Sequence, residues 1–209
     1  MYKRQASLRA RRGPGRWLAE HEAKALLRAR GVPVVRGLLA LNEGEARAAL
    51  ADLGGAVAVK ASLPEVRHKT QNGALALDVR DFEEVGAAYT HIACTSSPTV
   101  LVEEMAPPGV ELLVSVRTDA VVPALVVGAG GIDTEARDDT AVIPLPAGVA
   151  RIATAIESLR ARVDARHAAP IAHAIAQAAD GLELLECNPV IVHPDGAVVV
   201  DAVAKETGA

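Results

Sequence analysis

The stretch Gly181–Val190, GLELLECNPV, decides how this chain is read. Its apolar half predicts a strand over Leu182–Cys187, followed by Asn188 and Pro189. Residues two apart on a strand share a face, so Glu186 and Asn188 present a carboxylate and an amide oxygen together. Hard oxygen donors of this kind suit Mg²⁺ held between a protein and phosphate groups. Pro189 is expected to fix a turn after Asn188. Far upstream, Val57–Lys60 (VAVK) is an apolar strand ending in a lysine, a point charge suited to phosphate. His68-Lys69-Thr70 follows in a polar loop.

A chain of 209 residues has room for one large domain or two small lobes. It is 50% hydrophobic but only 2% aromatic, so a sizeable core must be built from Ala, Val, Leu and Ile. No apolar run approaches the ~18–20 residues that span a membrane. Cys94 and Cys187 stand in apolar contexts without metal-ligand spacing, the pattern of a reduced, cytoplasmic protein. Residues 1–16 hold Lys3, Arg4, Arg9, Arg11, Arg12 and Arg16 and no acid, so a net charge of −4 leaves −10 on residues 17–209. An acidic body argues against nucleic-acid binding, and the basic head reads as a disordered linker. Its first residues, MYKRQ, are what GTG-TAT-AAG-AGA-CAG encodes from a GTG start, a string that matches a transposon adapter. On that reading the native chain continues upstream, and 6–16 joins two domains.

Periodicity predicts a helix over Leu18–Arg30, its charges on the face away from Leu18, Ala23, Leu26 and Leu27. A strand (Val34–Leu41), a helix (Glu43–Leu53) and a strand (Ala56–Ala61) follow. Next come a strand (Ala74–Val79), a helix from its Asp81 cap to about Ala93, and a strand (Thr99–Glu104). Val110–Thr118 and Val121–Gly128 form a hairpin. Ala141–Leu145 is a short strand, and Val149–Arg162 and His167–Ala179 are helices. Strands over Leu182–Cys187, Val190–Val192 and Ala197–Val203 close the chain. This order predicts two α+β lobes with a cleft between them, a common place for ligands.

Leu18-Ala-Glu-His-Glu-Ala-Lys24, Gly31-Val-Pro-Val34, Val57-Ala-Val-Lys60, His68-Lys-Thr70, Val102-Glu-Glu-Met105, Pro108-Gly-Val-Glu111, Gly128-Ala-Gly-Gly-Ile132 and Glu186-Cys-Asn-Pro189 occur in that order. The series resembles the ATP-grasp domain of the nucleoside-diphosphate-forming acyl-CoA synthetases, over roughly residues 17–204. That family includes the beta subunit, or fused C-terminal domain, of ADP-forming acetate–CoA ligase, and domains fused to acetyltransferases. The resemblance implies an α+β ATP-grasp fold, two α/β lobes (about 17–100 and 101–209) enclosing a nucleotide cleft. It also implies ATP or ADP with Mg²⁺, and a CoA-binding alpha subunit or upstream fused domain as partner in a hetero-oligomer.

Residue by residue, the resemblance makes Lys60 the holder of nucleotide phosphates at the cleft. His68 becomes the carrier of a transferred phosphoryl group, beside the cation of Lys69. The backbone of Val102–Met105 would meet adenine, and Glu103 or Glu104 its amino group or a ribose hydroxyl. Glu111 would lie on the ribose side, and Gly130 and Gly131 would bring N–H groups to an anion. Glu186 and Asn188 are the metal ligands, Glu186 standing where the family prefers aspartate, with Asp201 as a supporting acid. Asp139 matches an acid of the family. The chain departs at Gln71, where an acid is usual, at Ala74, where a glycine is usual, and near Ile143, where an arginine is usual. Two functions stay open. One is the nucleotide-binding part of an ADP-forming acyl-CoA synthetase working by phosphohistidine relay. The other is a catalytically reduced nucleotide-sensing or scaffold domain.

Overall fold

Short polar side chains start the helices of the first half. Asn42 accepts a hydrogen bond from the Glu45 N–H, and Asp81 from those of Glu83 and Glu84, satisfying donors that a helix leaves open. They launch α2 (Glu43–Leu53) and α3 (Phe82–Thr95), within a computed structural model that describes residues 15–64, 73–131 and 139–208. Between the helices run β1 (Gly37–Ala40), β2 (Val57–Ala61), β3 (Leu75–Val79) and β4 (Val100–Glu104). They pair antiparallel in the order β1-β4-β2-β3. One face sends Ala40, Val57, Val59, Val100 and Val102 into a core with Ala46, Leu50, Val85 and Ile92 of the two helices. On the other face Leu39, Leu101, Lys60 and Leu75 stand in register across the sheet.

The second sheet is larger. It holds β5 (Val110–Arg117), β6 (Ala124–Ala129), β7 (Thr140–Pro144), β8 (Leu182–His193), β9 (Gly196–Val199) and β10 (Ala202–Glu206). The order is β10-β8-β5-β6-β7, and β9 pairs with the far half of β8. Helices α1 (Glu20–Ala29), α4 (Val149–Glu157) and α5 (Ala165–Ala178) belong to this half. Their Ala23, Leu27, Ile152, Ile156, Ala172 and Ile175 pack with Leu112, Val114, Val116, Leu125, Val127 and Leu185. With few aromatics, these branched and small side chains fill the interior by number. The opposite face of the sheet carries the alternate residues: Glu186, Ser115, Val126 and Val142 lie in register across β8, β5, β6 and β7.

Several expectations shift. β8 is a single strand that runs through Asn188–Pro189, a cis peptide, instead of two strands separated by a turn. It continues because the irregularity falls where β5 shifts register between Leu112 and Val114, so pairing resumes at Val190. The last strand divides into β9 and β10, and Asp201 lies in the break between them. Helix α4 stops at Glu157 because the Asp139 carboxylate binds the Arg160 and Ala161 N–H groups at 2.8 and 2.9 Å and holds the chain in a turn. Ile143 is 3% exposed and faces the core opposite Leu125, whereas its neighbour Val142 is 66% exposed. An arginine at 143 itself would be buried in hydrocarbon, so Ile143 is a packing residue, whereas Val142 beside it lies on the open face in register with Glu186. Ala74 is likewise part of the first core. Among the described residues, no helix is long and apolar enough to cross a membrane.

Candidate functional site

The open face of the second sheet gathers one set of the expected residues. Glu186 and Asn188 are half-buried, while Cys187 between them points into the core. Asn188 is held at both ends. Its N–H donates to the Asp201 carbonyl at 3.2 Å, and its Oδ1 accepts the Gly131 N–H at 3.0 Å. Gly130 N–H in turn donates to the Glu111 carbonyl at 2.8 Å. A Cβ on Gly131 would lie 2.1 Å from Glu111 Oε2, and one on Gly130 2.7 Å from the Leu112 nitrogen. Gly131 also has φ +92°, a region that only glycine enters readily. Glu111, the glycine pair and Asn188 therefore form one constellation, with Glu186 on the same strand face as Asn188.

Among the described residues there is no group of three or more His, Cys, Asp or Glu side chains that could hold a metal. Glu186 and Asn188 supply two oxygen donors and no soft ligand. That set fits Mg²⁺, which demands six ligands and commonly takes the rest from water and phosphates. It does not fit zinc.

The first sheet behaves differently from expectation. Lys60 does not project into an open cleft, nor does it snorkel to solvent. Its ammonium lies 2.6 Å from Glu20 Oε1 and 2.7 Å from Glu103 Oε2 and donates to the Val200 carbonyl at 3.0 Å. Lys24 joins the same cluster, 2.6 Å from Glu20 and 2.7 and 2.6 Å from the two oxygens of Glu103, and it too donates to Val200. All four side chains are 4% exposed or less. Burial, and after it the neighbouring Lys60 charge, draws the Lys24 ammonium below the usual lysine range. Burial acts the same way on Lys60, but Glu20, Glu103 and Asp201 outweigh it and hold that group well above the usual range.

Glu103 is thus spent on two lysines and is not offered to a base or a ribose. Its Cγ occupies the space that a side chain at Gly37 would need, 2.6 Å from the Cβ position there. Glu104 is also engaged, its Oε1 accepting the Arg36 N–H at 2.9 Å. Met105, 40% exposed, remains accessible, and its N–H donates to the Ala56 carbonyl at 3.3 Å. His68, Lys69 and Gln71 lie outside the described residues.

Glu20 and Lys24 escaped the sequence reading, which put the charges of α1 on its outer side. A signal existed. Positions 20, 23, 24 and 27 form the i, i+3, i+4, i+7 stripe of one helix face, and Ala23 and Leu27 on it are fully buried. A Glu–Lys pair on a buried stripe asks for partners on a facing element. Gly37 left no such trace, because its role depends on a residue 66 positions away.

Residues 9–205 match the family model described as an ATP-grasp domain. The beta subunit of Pyrococcus furiosus acetate–CoA ligase [ADP-forming] I is 29% identical over 208 residues, covering 88% of this chain and 90% of that one. The chain superposes with a TM-score of 0.83 on dinucleotide-forming acetyl-coenzyme A synthetase 1 of Ca. Korarchaeum cryptofilum, solved with coenzyme A, Ca-AMPCP and HgCl+. It shares 29% identity with it, over 91% of this chain and 93% of that one. Another structure of that synthetase holds coenzyme A and Mg-AMPPCP, its phosphohistidine segment pointing towards the nucleotide binding site. There the TM-score is 0.75 and the identity 30%, with the same coverage.

Proposed function

Since this chain belongs to the ATP-grasp domain family, we propose that it is the nucleotide-binding subunit or domain of an ADP-forming acyl-CoA synthetase. The reaction converts acyl-CoA, ADP and phosphate to carboxylate, ATP and CoA. The carrying observation is the constellation of Glu111, Gly130, Gly131 and Asn188 beside Glu186 on the open face of the second sheet. Preorganised groups of this kind suit phosphoryl transfer, where positioning and charge neutralisation do most of the work.

Glu186 and Asn188 would hold Mg²⁺, and Gly131 keeps Asn188 aimed. Bound there, the metal would neutralise charge on the phosphate oxygens. The exposed backbone around Met105 and the carboxylate of Glu111 meet the nucleoside. His68 attacks the phosphorus of an acyl phosphate made in the partner, the carboxylate leaves, and the phosphoryl group then passes to ADP. Lys69 neutralises the charge on phosphorylated His68. A CoA-binding alpha subunit or fused upstream domain is the partner, in a hetero-oligomer. Two free cysteines, one buried, fit a cytoplasmic setting.

Thermal unfolding of the full chain with Mg²⁺ and ADP tests the reading. Ligand at about a hundred times its Kd should stabilise by roughly 2.7 kcal/mol, on the order of 5–10 °C for a chain of this size. The shift should disappear without Mg²⁺. No shift at saturating nucleotide would overturn the assignment. A reduced nucleotide-sensing or scaffold domain is the second reading, favoured by the engagement of Lys60 and Glu103 in ion pairs. It gives the same thermal shift but no radiolabel on His68 when the chain and a CoA-binding partner are supplied with labelled ATP.

A further inference from the structure

The buried cluster has two lysines where the nucleotide reading needs one. Its members come from both halves of the molecule. Glu20 and Lys24 lie on α1, which packs with the second core, Lys60 and Glu103 lie on the first sheet, and Val200 precedes β10. Lys24 touches both carboxylates and so does Lys60. A lone lysine could not leave such a site without stranding a buried carboxylate, which is strongly unfavourable. With Lys24 present, Glu20 and Glu103 each keep a cation at 2.6 Å after Lys60 has gone. Asp201, half-buried, adds a third carboxylate to the field that both lysines face.

We propose that Lys24 is a positioning residue that makes Lys60 releasable: it keeps a cation against both Glu20 and Glu103 so that the Lys60 ammonium can exchange these carboxylates for nucleotide phosphate. Phosphate oxygens and carboxylates are alternative anions for one ammonium, and after the exchange Glu20 and Glu103 still share the Lys24 cation. Lys60 also lies on the strand face of the first sheet that carries Leu39, Leu75 and Leu101. It therefore starts from the side turned to Val200 and the second sheet. This inference rests on the nucleotide reading and adds to it a control residue and a direction of effect.

The test is titration of Mg²⁺-ADP binding by the full wild-type chain, Lys24→Met and Glu20→Gln, each first confirmed as folded by its thermal transition. Lys24→Met makes Lys60 the sole cation between two buried carboxylates, so affinity should fall about tenfold or more. Glu20→Gln removes one holder of Lys60 and should tighten binding by about threefold. A merely structural role for the cluster would weaken binding in both variants, and that result overturns the proposal. If Lys24→Met does not fold, Glu20→Gln decides alone: unchanged or weaker binding overturns it. A wild-type chain that binds no nucleotide would remove the underlying reading as well, an outcome distinct from any pattern among the variants.

Discussion

Gly37 and Glu103 show how one residue shapes a packing contact across β1 and β4. The Glu103 side chain crosses the place of a Cβ at 37 and ends between two lysines. Gly37→Ala should therefore push Glu103 out of its pairs. Overpacking of this kind costs about 1–3 kcal/mol, and each kcal/mol lowers Tm by roughly 2–4 °C in a chain of this length. A thermal melt of the variant checks it. Glu186 is the opposite case, a half-buried carboxylate on an open face. Glu186→Gln should leave the melt of the unliganded chain nearly unchanged. Its effect should appear in a Mg²⁺ titration at fixed ADP, as a midpoint about tenfold higher or more, because ligand charge sets affinity for hard cations. Cys187 beside it is not a rival ligand: burial pushes its thiol well above the usual range, and Asp201 and Glu186 add to the effect.

Among the elements, α5 carries a titration with a definite sign. Asp164 caps it by accepting the Arg166 N–H at 3.0 Å, and it also pairs with the Arg166 side chain. The Arg166 guanidinium, and after it that N–H, lower the Asp164 carboxyl from the ordinary 3.8 to about 2. A carboxyl depressed in the folded state adds stability above its unfolded value, and the contribution disappears as pH falls through the folded one. The Tm difference between wild type and Asp164→Asn should thus be constant from pH 7 to about 5 and shrink between about pH 4 and 2. A difference that does not change over that range would contradict the assignment. Strand β7 shows a further element-level effect. Alternation along it sends Ile143 inward and Val142 outward, so position 143 serves packing while its neighbour faces the open side of the sheet.

For the molecule as a whole, the ionic cluster ties the first sheet to α1 and to the β9–β10 break. Lys60→Met leaves Lys24 as the one cation in contact with both Glu20 and Glu103, so the loss of stability should be real but smaller than the about 3–5 kcal/mol that a buried charge without a partner costs. Denaturant unfolding without nucleotide should register that loss. Truncating Lys60 is therefore a poor control for nucleotide binding, since it disturbs the fold and the ligand site together, and Glu186→Gln is the cleaner comparison. The second tie is the path from Val200, which accepts from both lysines, through Asp201 to Asn188 and on to Gly131 and Glu111. It places the charge cluster one residue from the segment that orients Asn188 beside Glu186.

Much of this was legible in the chain. Apolar periods, caps at Asn42 and Asp81, and the alternation around Glu186 and Asn188 are local properties. They determined most of the elements, the two-lobed class and the shared face of Glu186 and Asn188, because strand and helix geometry convert sequence spacing directly into direction. Motif order carried the family. The pairing of Lys60 and Glu103 with Glu20 and Lys24 was decided only in three dimensions, as were the need for glycine at 37 and the continuity of β8 through Pro189. A buried charge is tolerated only where other charges meet it, and those partners come from α1, β2, β4 and the β9–β10 break. No window of sequence contains them together. They become neighbours only when two sheets and a helix have packed.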